Sequence, residues 1–222
     1  SSVMTFTTQG KQINLIDCPG YPDYIQHSIS AVNAVESALI FVHAFNGVAV
    51  NTRRTWQLAA DARVVRVLVV NKIDLENINL EELLASLREH FGDQCLPFNY
   101  PLGTGPSCAG VASLLAPPAD LPAKFRDTIS AMANQLKEKI VEADDALLEK
   151  YLEGGTVSPE ELDKALRKAL ASGGLCPILF LSSEKGWGVE ALTDFICRNL
   201  PSPAEAPPRA GKKPGTEETK RF

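Results

Sequence analysis

The sequence predicts an α/β fold with a mostly parallel sheet, and three observations lead to that class. Short apolar runs alternate with segments of helical periodicity through the first third of the chain. One of these runs, Val64–Val70, is rich in β-branched residues, as strands that are buried on both faces are. The 222 residues are 45% hydrophobic and 22% charged, which is ordinary for a folded domain. Alternating strands and helices favour βαβ units with helices on both faces of the sheet.

The elements are predicted from apolar periodicity and from the residues that cap each segment. Strands are predicted at Ile13–Ile16, read as buried, and at Ala38–Val42, Val64–Val70 and Pro177–Leu181. Helices are predicted at Tyr24–Ser37, Thr52–Ala60, Leu80–Phe91, Phe125–Leu152 (one helix or a pair), 159–172 and Val189–Leu200. Asn79 with Glu82, and Ser158 with Glu161, are placed as capping boxes at two of the helix starts.

The chain is predicted to hold two units and a tail. Residues 93–121 are rich in proline and glycine and interrupt the alternating pattern, and long helices follow them. We therefore expect a core at 1–92 and 175–203, an inserted α/β subdomain at 93–174, and a linker or the start of a further domain at 204–222.

Composition limits the function classes and the compartment. A net charge of −5 argues against binding nucleic acid through bulk charge, and no direct sequence-specific nucleic-acid binding is expected. The five cysteines are scattered and form no C-x-x-C pair, so neither a disulfide framework nor a zinc site is indicated. No secretory signal and no run of about 18 apolar residues is present, which predicts a cytoplasmic protein without membrane contact. The chain also opens on a strand-like segment without an initiating methionine, which suggests a truncated chain.

The segment Asn71-Lys72-Ile73-Asp74 directly follows the β-branched run. The carboxyl ends of parallel strands are where open α/β sheets bind ligands. A carboxylate at Asp74 can accept two hydrogen bonds from the N1 and N2 hydrogens of guanine, a pair that adenine does not offer. The alternative reading of this pattern is an ordinary strand-to-helix turn with polar caps.

Two further polar segments follow predicted strands. Asp17-Cys18-Pro19-Gly20 places a carboxylate near a magnesium-bound water and a glycine N–H where a terminal phosphate can approach. Ser182-Ser183-Glu184 places backbone N–H groups where the guanine O6 would lie. Taken singly, the first is also a common turn and the second a common helix cap.

Together and in this order, the three motifs make the chain resemble the translational GTPases, and most closely elongation factor G. The resemblance extends over nearly the whole chain and includes Gln12–Tyr24 and Ala38–Trp56. It implies a P-loop-NTPase-like GTPase core that binds GTP or GDP with Mg²⁺. The implied guanine end is formed by the Asn71, Lys72 and Asp74 motif and by Ser182, Ser183 and Glu184. The implied γ-phosphate end is formed by Asp17, which holds Mg²⁺ through water, and by Cys18, Pro19, Gly20 and Tyr21.

The resemblance also covers the extra residues in the middle of the chain. Ser182 follows Asp74 by 108 residues, more than a minimal nucleotide-binding fold needs there. The surplus is similar to the subdomain inserted in elongation factor G, through which the resemblance implies contact with a ribosomal stalk protein. Pro214–Lys220 is similar to the lead into the family's second, β-barrel domain. Tetracycline-protection proteins and the release-factor GTPase share a related architecture and remain alternatives.

The chain departs from the family in two places. It contains no G-x-x-x-x-G-K-[ST] loop, which in the family precedes the part that this chain resembles and holds the phosphates. We therefore expect the fold to lack its first strand and this loop, and the chain to bind GTP weakly or not at all. Tyr21 stands where the family usually has the histidine that orients the attacking water.

Tyr21 is therefore a candidate catalytic residue with altered chemistry. A phenol stays neutral at physiological pH and cannot imitate the charge change of an imidazole. We expect slow GTP hydrolysis or a different dependence on the ribosome, and faster turnover after Tyr21→His. The rival hypothesis is a non-catalytic, ribosome-associated or regulatory binding module that has lost GTP hydrolysis.

Overall fold

The computed structural model describes residues 1–205, 210–212 and 219–221. The strands are β1 (Ser2–Thr8), β2 (Lys11–Asp17), β3 (Ser37–His43), β4 (Val65–Asn71), β5 (Cys95–Pro97), β6 (Asn99–Pro101), β7 (Val111–Ser113), β8 (Cys176–Leu181), β9 (Ala210–Lys212) and β10 (Thr219–Arg221). The helices are α1 (Ile25–Val32), α2 (Val50–Asp61), α3 (Leu80–Phe91), α4 (Ala123–Val141), α5 (Asp145–Leu152), α6 (Pro159–Ser172) and α7 (Val189–Asn199). Short 3₁₀ turns lie at Pro22–Tyr24 and Gly105–Ser107.

The centre of the molecule is a four-stranded parallel sheet in the order β3-β4-β8-β5. The inner strand β8 is buried along its whole length, and β4 is buried from Val67 to Val70, as the apolar runs predict for parallel strands. Leu68 and Phe180 are fully buried on these two strands. The predicted α/β class with a mostly parallel sheet is confirmed.

The prediction of a buried strand at Ile13–Ile16 is wrong in its burial. The strand exists as part of β2, but it pairs antiparallel with β1 and with no strand of the central sheet. The hairpin is therefore exposed, and Val3 and Phe6 of β1 keep 71% and 44% of their surface accessible. Alternating apolar residues indicate a strand but do not determine which sheet covers it.

The hairpin is joined to the rest of the described chain partly by polar contacts with α7. The Lys11 ammonium donates to the Cys197 carbonyl at 2.6 Å, at the end of that helix. Gln9 donates to the Asp194 carboxylate. A cation at the carboxyl end of a helix also meets the negative end of the helix dipole.

The outer strand of the main sheet lies inside the range assigned to the inserted subdomain. β5 pairs in parallel with β8, with Cys95 opposite Cys176. An insertion into the core would therefore begin after Pro97 rather than at residue 93. The division into core and insertion is kept below as a proposal with this later starting point.

Helix starts follow the capping residues that the sequence offers. Ser158 and Glu161 form the reciprocal capping box of α6. Asn79 accepts hydrogen bonds from the Glu81 and Glu82 N–H groups and caps α3, which spans the predicted Leu80–Phe91. The segment Phe125–Leu152 forms a pair of helices, because the Asp144 side chain caps the second one.

The tail is described only in part. Of residues 204–222, the described strands β9 and β10 pair antiparallel. The remaining residues of the predicted linker or further domain, from 206, lie outside the described ones. Among the described residues, no helix is both long enough and apolar enough to cross a membrane.

Candidate guanine-nucleotide site

The second and third motifs meet because they follow neighbouring parallel strands. Asn71 and Leu181 are register partners at the carboxyl ends of β4 and β8. The chain leaves both strands at the same edge of the sheet, so Asn71-Lys72-Ile73-Asp74 and Ser182-Ser183-Glu184 lie side by side. This edge is where open α/β sheets place their ligands.

The Asn71 side chain joins the two loops. Its Oδ1 accepts from the Lys72 N–H at 2.7 Å and from the Ser183 N–H at 3.1 Å. Its Nδ2 donates to the Ser183 Oγ at 3.1 Å. Two of these three hydrogen bonds connect Asn71 to Ser183 and hold the two loops together, and the third fixes the turn at Lys72.

The loop after β8 is closed by its own hydrogen bonds. The Ser182 N–H donates to the Trp187 carbonyl at 2.9 Å, and the Ser182 Oγ accepts from the Lys185 N–H at 3.1 Å. Ser182 is fully buried, whereas Ser183 and Glu184 are exposed on the loop. Ser182 therefore shapes the loop, and its exposed neighbours face the space beside Asn71.

The Lys72–Asp74 turn carries signs of a binding site rather than of a simple connection. Lys72 has φ of 70°, a region that costs energy for a residue other than glycine and is found often at functional sites. The Asp74 Oδ1 is buried and accepts no hydrogen bond from any described residue. A buried carboxylate oxygen without a donor is costly to the fold, so a donor from outside the chain would be bound favourably.

A cysteine lies near this carboxylate. The Cys108 thiol is buried and donates to the Gly110 carbonyl at 3.4 Å. Burial raises the pKa of the Cys108 thiol, a backbone interaction at Gly110 lowers that pKa in part, and the nearby negative charge of Asp74 raises it further. The thiol stays protonated at neutral pH and adds no second charge beside Asp74.

The first motif lies on the loop that follows β2. Asp17 ends β2 and is exposed, Cys18 and Pro19 are half-buried, and Gly20 is exposed. A Cβ on Gly20 would meet no atom within 4 Å, so nothing in the described chain requires glycine there. Tyr21 keeps 75% of its surface accessible and precedes the 3₁₀ turn.

The structure places the second and third motifs side by side, but the first motif is held separately. None of the described hydrogen bonds joins the Asp17–Tyr21 segment to Asn71, Asp74 or Ser183. The segment is held instead by α2, whose Asn51 Nδ2 donates to the Gly20 carbonyl at 2.6 Å. Among the described residues, no group of three or more His, Cys, Asp or Glu side chains is placed to hold a metal ion.

Sequence reasoning missed three residues that position these loops. The first is Asn51, which binds the Gly20 carbonyl of the first motif. The others lie in the segment after β5: the Gly105 N–H donates to the Ile73 carbonyl of the second motif, and Asn99 binds Phe180 of β8, two residues before the third motif. No motif marks them, because each acts through a backbone contact with a residue that is distant in sequence.

A parallel sheet with polar loops at its carboxyl edge is the architecture of α/β domains that bind nucleotides at that edge. Residues 1–202 match the model of the elongation factor Tu GTP binding domain family, and the chain belongs to that family. The chain is a translational GTPase domain of the elongation-factor-G-like kind, and membership implies guanine-nucleotide binding.

Individual relatives agree with this assignment. The chain is 32% identical over 234 residues to an elongation factor G-like protein of Thermotoga maritima, with 100% of this chain and 34% of that protein covered. It is 30% identical over 231 residues to elongation factor G of Amoebophilus asiaticus, with 97% of this chain and 33% of that protein covered. A crystal structure of a Thermus thermophilus protein matches 91% of this chain and 32% of its own, with 34% identity and a TM-score of 0.84. The chain spans about a third of the length of the relatives it matches.

Proposed function

We propose that this chain is the GTP-binding domain of an elongation-factor-G-like translation factor, in which GTP hydrolysis is coupled to action on the ribosome. The observation that carries the proposal is the buried Asp74 Oδ1, which lacks a donor among the described residues and lies on the turn that Asn71 fixes to Ser183. The N1 and N2 hydrogens of guanine supply the two donors that such a carboxylate accepts. Family membership and the position at the carboxyl edge of the sheet support this reading.

In the proposed complex, the two loops bind the base. Asn71 holds the loops together, Asp74 selects guanine, and the stem of Lys72 packs along the nucleotide. Ser182 keeps the second loop closed, so that the Glu184 N–H reaches the guanine O6, while the Ser183 N–H stays bound to the Asn71 Oδ1 and orders the loop. Each of these assignments rests on the described geometry together with the motif of the family.

The γ-phosphate end is proposed for Asp17–Tyr21. Asp17 fits Mg²⁺, because this ion keeps several waters and needs only one or two protein carboxylates beside the phosphates. Gly20 leaves open space for a phosphate next to its N–H, with Cys18 and Pro19 setting the turn. The bound ion would neutralise charge that develops on the phosphates.

The last part of the proposal concerns GTP hydrolysis and the binding partners of the protein. Tyr21 is exposed and can donate one hydrogen bond to water or phosphate, but it cannot change its charge as a histidine would. The insertion, taken as 98–174, is the proposed contact for a ribosomal stalk protein. A cytoplasmic location follows from such a role. The rival function, a ribosome-associated binding module without hydrolysis, is favoured by the tyrosine at position 21.

Base selectivity tests the proposal directly. We expect NMR titration of the 222-residue chain to show that millimolar guanosine monophosphate shifts the amides of Ile73, Asp74 and Ser183 more than adenosine monophosphate does. Asp74→Asn should remove this preference and favour xanthosine monophosphate, whose C2 carbonyl accepts from the new amide. Equal shifts with guanosine and adenosine monophosphates would contradict the proposed function.

The phosphates are tested separately. Because the chain carries no G-x-x-x-x-G-K-[ST] loop, we expect its affinity for GTP to be weak. Titration with a fluorescent guanine nucleotide should therefore give no saturation in the low-micromolar range. A low-micromolar dissociation constant would contradict the expectation and show that the described loops suffice for tight binding.

A further inference from the structure

The strand β8 extends beyond its outer neighbour. β5 pairs with β8 only from Cys176 to Ile178, and the Phe98 N–H then donates to the Ile178 carbonyl at 2.8 Å. The next outward-facing backbone groups of β8 belong to Phe180, which is fully buried. Buried backbone groups require partners, so this end of β8 needs a substitute for the missing strand.

Asn99 supplies that substitute with its side chain. Its Oδ1 accepts from the Phe180 N–H at 2.7 Å, and its Nδ2 donates to the Phe180 carbonyl at 3.1 Å. Asn99 is itself 2% exposed, while its backbone belongs to β6 and pairs with β7. The side chain thus continues the hydrogen bonding of the sheet to within two residues of Ser182, where the third motif begins.

The same segment of chain also contacts the Lys72–Asp74 turn. The N–H of Gly105 donates to the Ile73 carbonyl at 3.1 Å. Gly105 has φ of 59°, and a Cβ there would lie 3.3 Å from the Glu76 Cα and 3.4 Å from the Leu75 carbonyl oxygen. A side chain at this position is disfavoured both by the backbone conformation and by the close approach to the turn.

Together, these contacts attach one segment to both loops of the candidate base site. Residues 99–110, which we name the bracing segment, contain Asn99, which bonds to Phe180 of β8 just before one loop, and Gly105, which bonds to Ile73 in the other loop. Cys108, near the end of this segment, lies close to Asp74. Asn71 joins the two loops directly, and the bracing segment adds a second connection between them through Phe180 and Ile73.

We propose that Asn99 and Gly105 are positioning residues of the base site, and that the bracing segment sets the placement of Asp74 relative to Ser183. This rests on the proposed function of that site in binding guanine. It adds that the first residues after the core, in the proposed insertion, determine base selectivity without touching the nucleotide. A conformational change in the insertion would therefore alter the proposed base site through the contacts at Ile73 and Phe180.

Amide hydrogen exchange without nucleotide tests the bracing itself. In Asn99→Ala we expect exchange at Ser182 and Ser183 to accelerate by about tenfold or more, because the buried Phe180 groups lose both partners. In Gly105→Ala the largest acceleration should fall on Ile73 and Leu75. Gly105→Ala carries the test alone if Asn99→Ala does not fold.

Leu136→Ala is the matched control, since it removes a fully buried side chain from α4 and lowers stability in general. Exchange that accelerates equally at all buried amides in the Asn99 and Gly105 variants, as in the control, would overturn the proposal. Unchanged exchange in both loops would overturn it as well.

Nucleotide titration then separates this proposal from the proposed function. The Asn99 and Gly105 variants should lose the preference for guanosine over adenosine monophosphate, while Leu136→Ala keeps it at temperatures where the control is folded. A wild-type chain without that preference would refute guanine binding, whatever the exchange shows. A wild-type preference that persists unchanged in both variants would refute the positioning role alone.

Discussion

The Asn51 side chain donates a hydrogen bond to the Gly20 carbonyl at 2.6 Å and so ties the first turn of α2 to the loop after β2. The Oδ1 of the same amide is buried and has no partner among the described residues. Within this loop, the Tyr24 N–H donates to the Tyr21 carbonyl at 3.0 Å, and the Cys18 thiol donates to the His27 carbonyl at 3.7 Å. The loop is therefore anchored to α2 through one side chain.

Removal of this anchor should loosen the loop without unfolding the core. We expect Asn51→Ala to lower the free energy of unfolding by about 1 kcal/mol. The loss of the hydrogen bond destabilises the fold, and the removal of the unsatisfied buried oxygen offsets part of that loss. Amide exchange at Gly20 and Tyr21 should accelerate more than exchange in β4. Gln57→Ala is the control, because Gln57 lies exposed on the same helix and its side chain bonds, within the described part of the chain, to Asp61 alone. Equal exchange in the two variants would show that the anchor does not order the loop.

Asn71→Ala should separate the two loops of the proposed base site. The variant loses three hydrogen bonds and leaves the Lys72 and Ser183 N–H groups without their acceptor. We expect a loss of about 1–3 kcal/mol in urea unfolding and no remaining preference for guanine. Asn33→Ala, which removes one exposed hydrogen bond to the Ile29 carbonyl, should change stability by about 0.5 kcal/mol or less. A fully retained preference in Asn71→Ala would contradict the positioning role of this side chain.

The variant Asp74→Asn tests whether the carboxylate stabilises the fold or serves to bind a ligand. Its buried Oδ1 makes no hydrogen bond with a described residue, so neutralising the group should leave the melting temperature unchanged or higher. If the carboxylate instead stabilised the fold, its replacement would lower the melting temperature. Thermal unfolding by circular dichroism measures the difference, with Asp17→Asn as the comparison because Asp17 is exposed.

Tyr21→His should raise the rate of GTP hydrolysis if this position lies at the hydrolysis centre. Tyr21 is 75% exposed, so the substitution should change stability by about 0.5 kcal/mol or less. Turnover is measured as phosphate release in the presence of ribosomes, in a longer protein that joins this domain to a G-x-x-x-x-G-K-[ST] loop, because the 222-residue chain alone is expected to bind GTP weakly. Tyr24→His, at a 52% exposed position three residues away, should leave the rate as it is. An equal rate in the two variants would place Tyr21 outside the centre and favour the rival binding module.

The helical part of the chain should lose stability in acid through Glu161. This carboxylate accepts from Lys150 at 2.8 Å and from the Ser158 N–H at 2.8 Å, and the Lys150 contact is the first cause that lowers the pKa of Glu161 below its ordinary 4.5. A lowered pKa in the folded state means that the stabilisation is present above pH 4.5 and is lost as the pH falls through the lowered value.

Glu161→Gln should therefore flatten the decline of the melting temperature below pH 4.5. Asp163→Asn is the control on the same helix, because Asp163 is exposed and makes no hydrogen bond or ion pair with a described residue. The two variants are compared by circular dichroism from neutral pH downward. The same decline in Glu161→Gln as in the wild-type chain would show that the contact with Lys150 adds nothing to stability.

The sequence predicts the inner elements well because their signals are local. The range Leu80–Phe91 is reproduced by α3, and Ser158 caps α6, since apolar periodicity and capping depend on residues a few positions apart. The positions of the loops of the proposed base site are predicted in the same way, because Asn71 and Ser182 lie at the ends of buried strands. The grouping of Asn71 with Ser183 needs only the parallel order of β4 and β8.

The contacts that support the site could not be predicted in this way. Asn99 meets Phe180 across 81 residues, and Asn51 meets Gly20 across 31, so no periodic pattern marks either contact. The strand Cys95–Pro97 has three residues and ends in proline, which argues against a strand in sequence and is compatible only with an edge position. These contacts and this short strand depend on tertiary packing, so neighbouring residues in the sequence do not indicate them.

The unpaired edge of β3 has a practical consequence for the chain in solution. Its outer side faces no described strand, and Phe41 on it is 54% exposed. Together with the uncovered apolar side chains of the hairpin, this edge offers backbone donors and acceptors to any extended segment that comes near. Concentrated samples are therefore expected to associate edge to edge, so that their sedimentation coefficient rises with protein concentration and falls when a charged residue replaces Phe41.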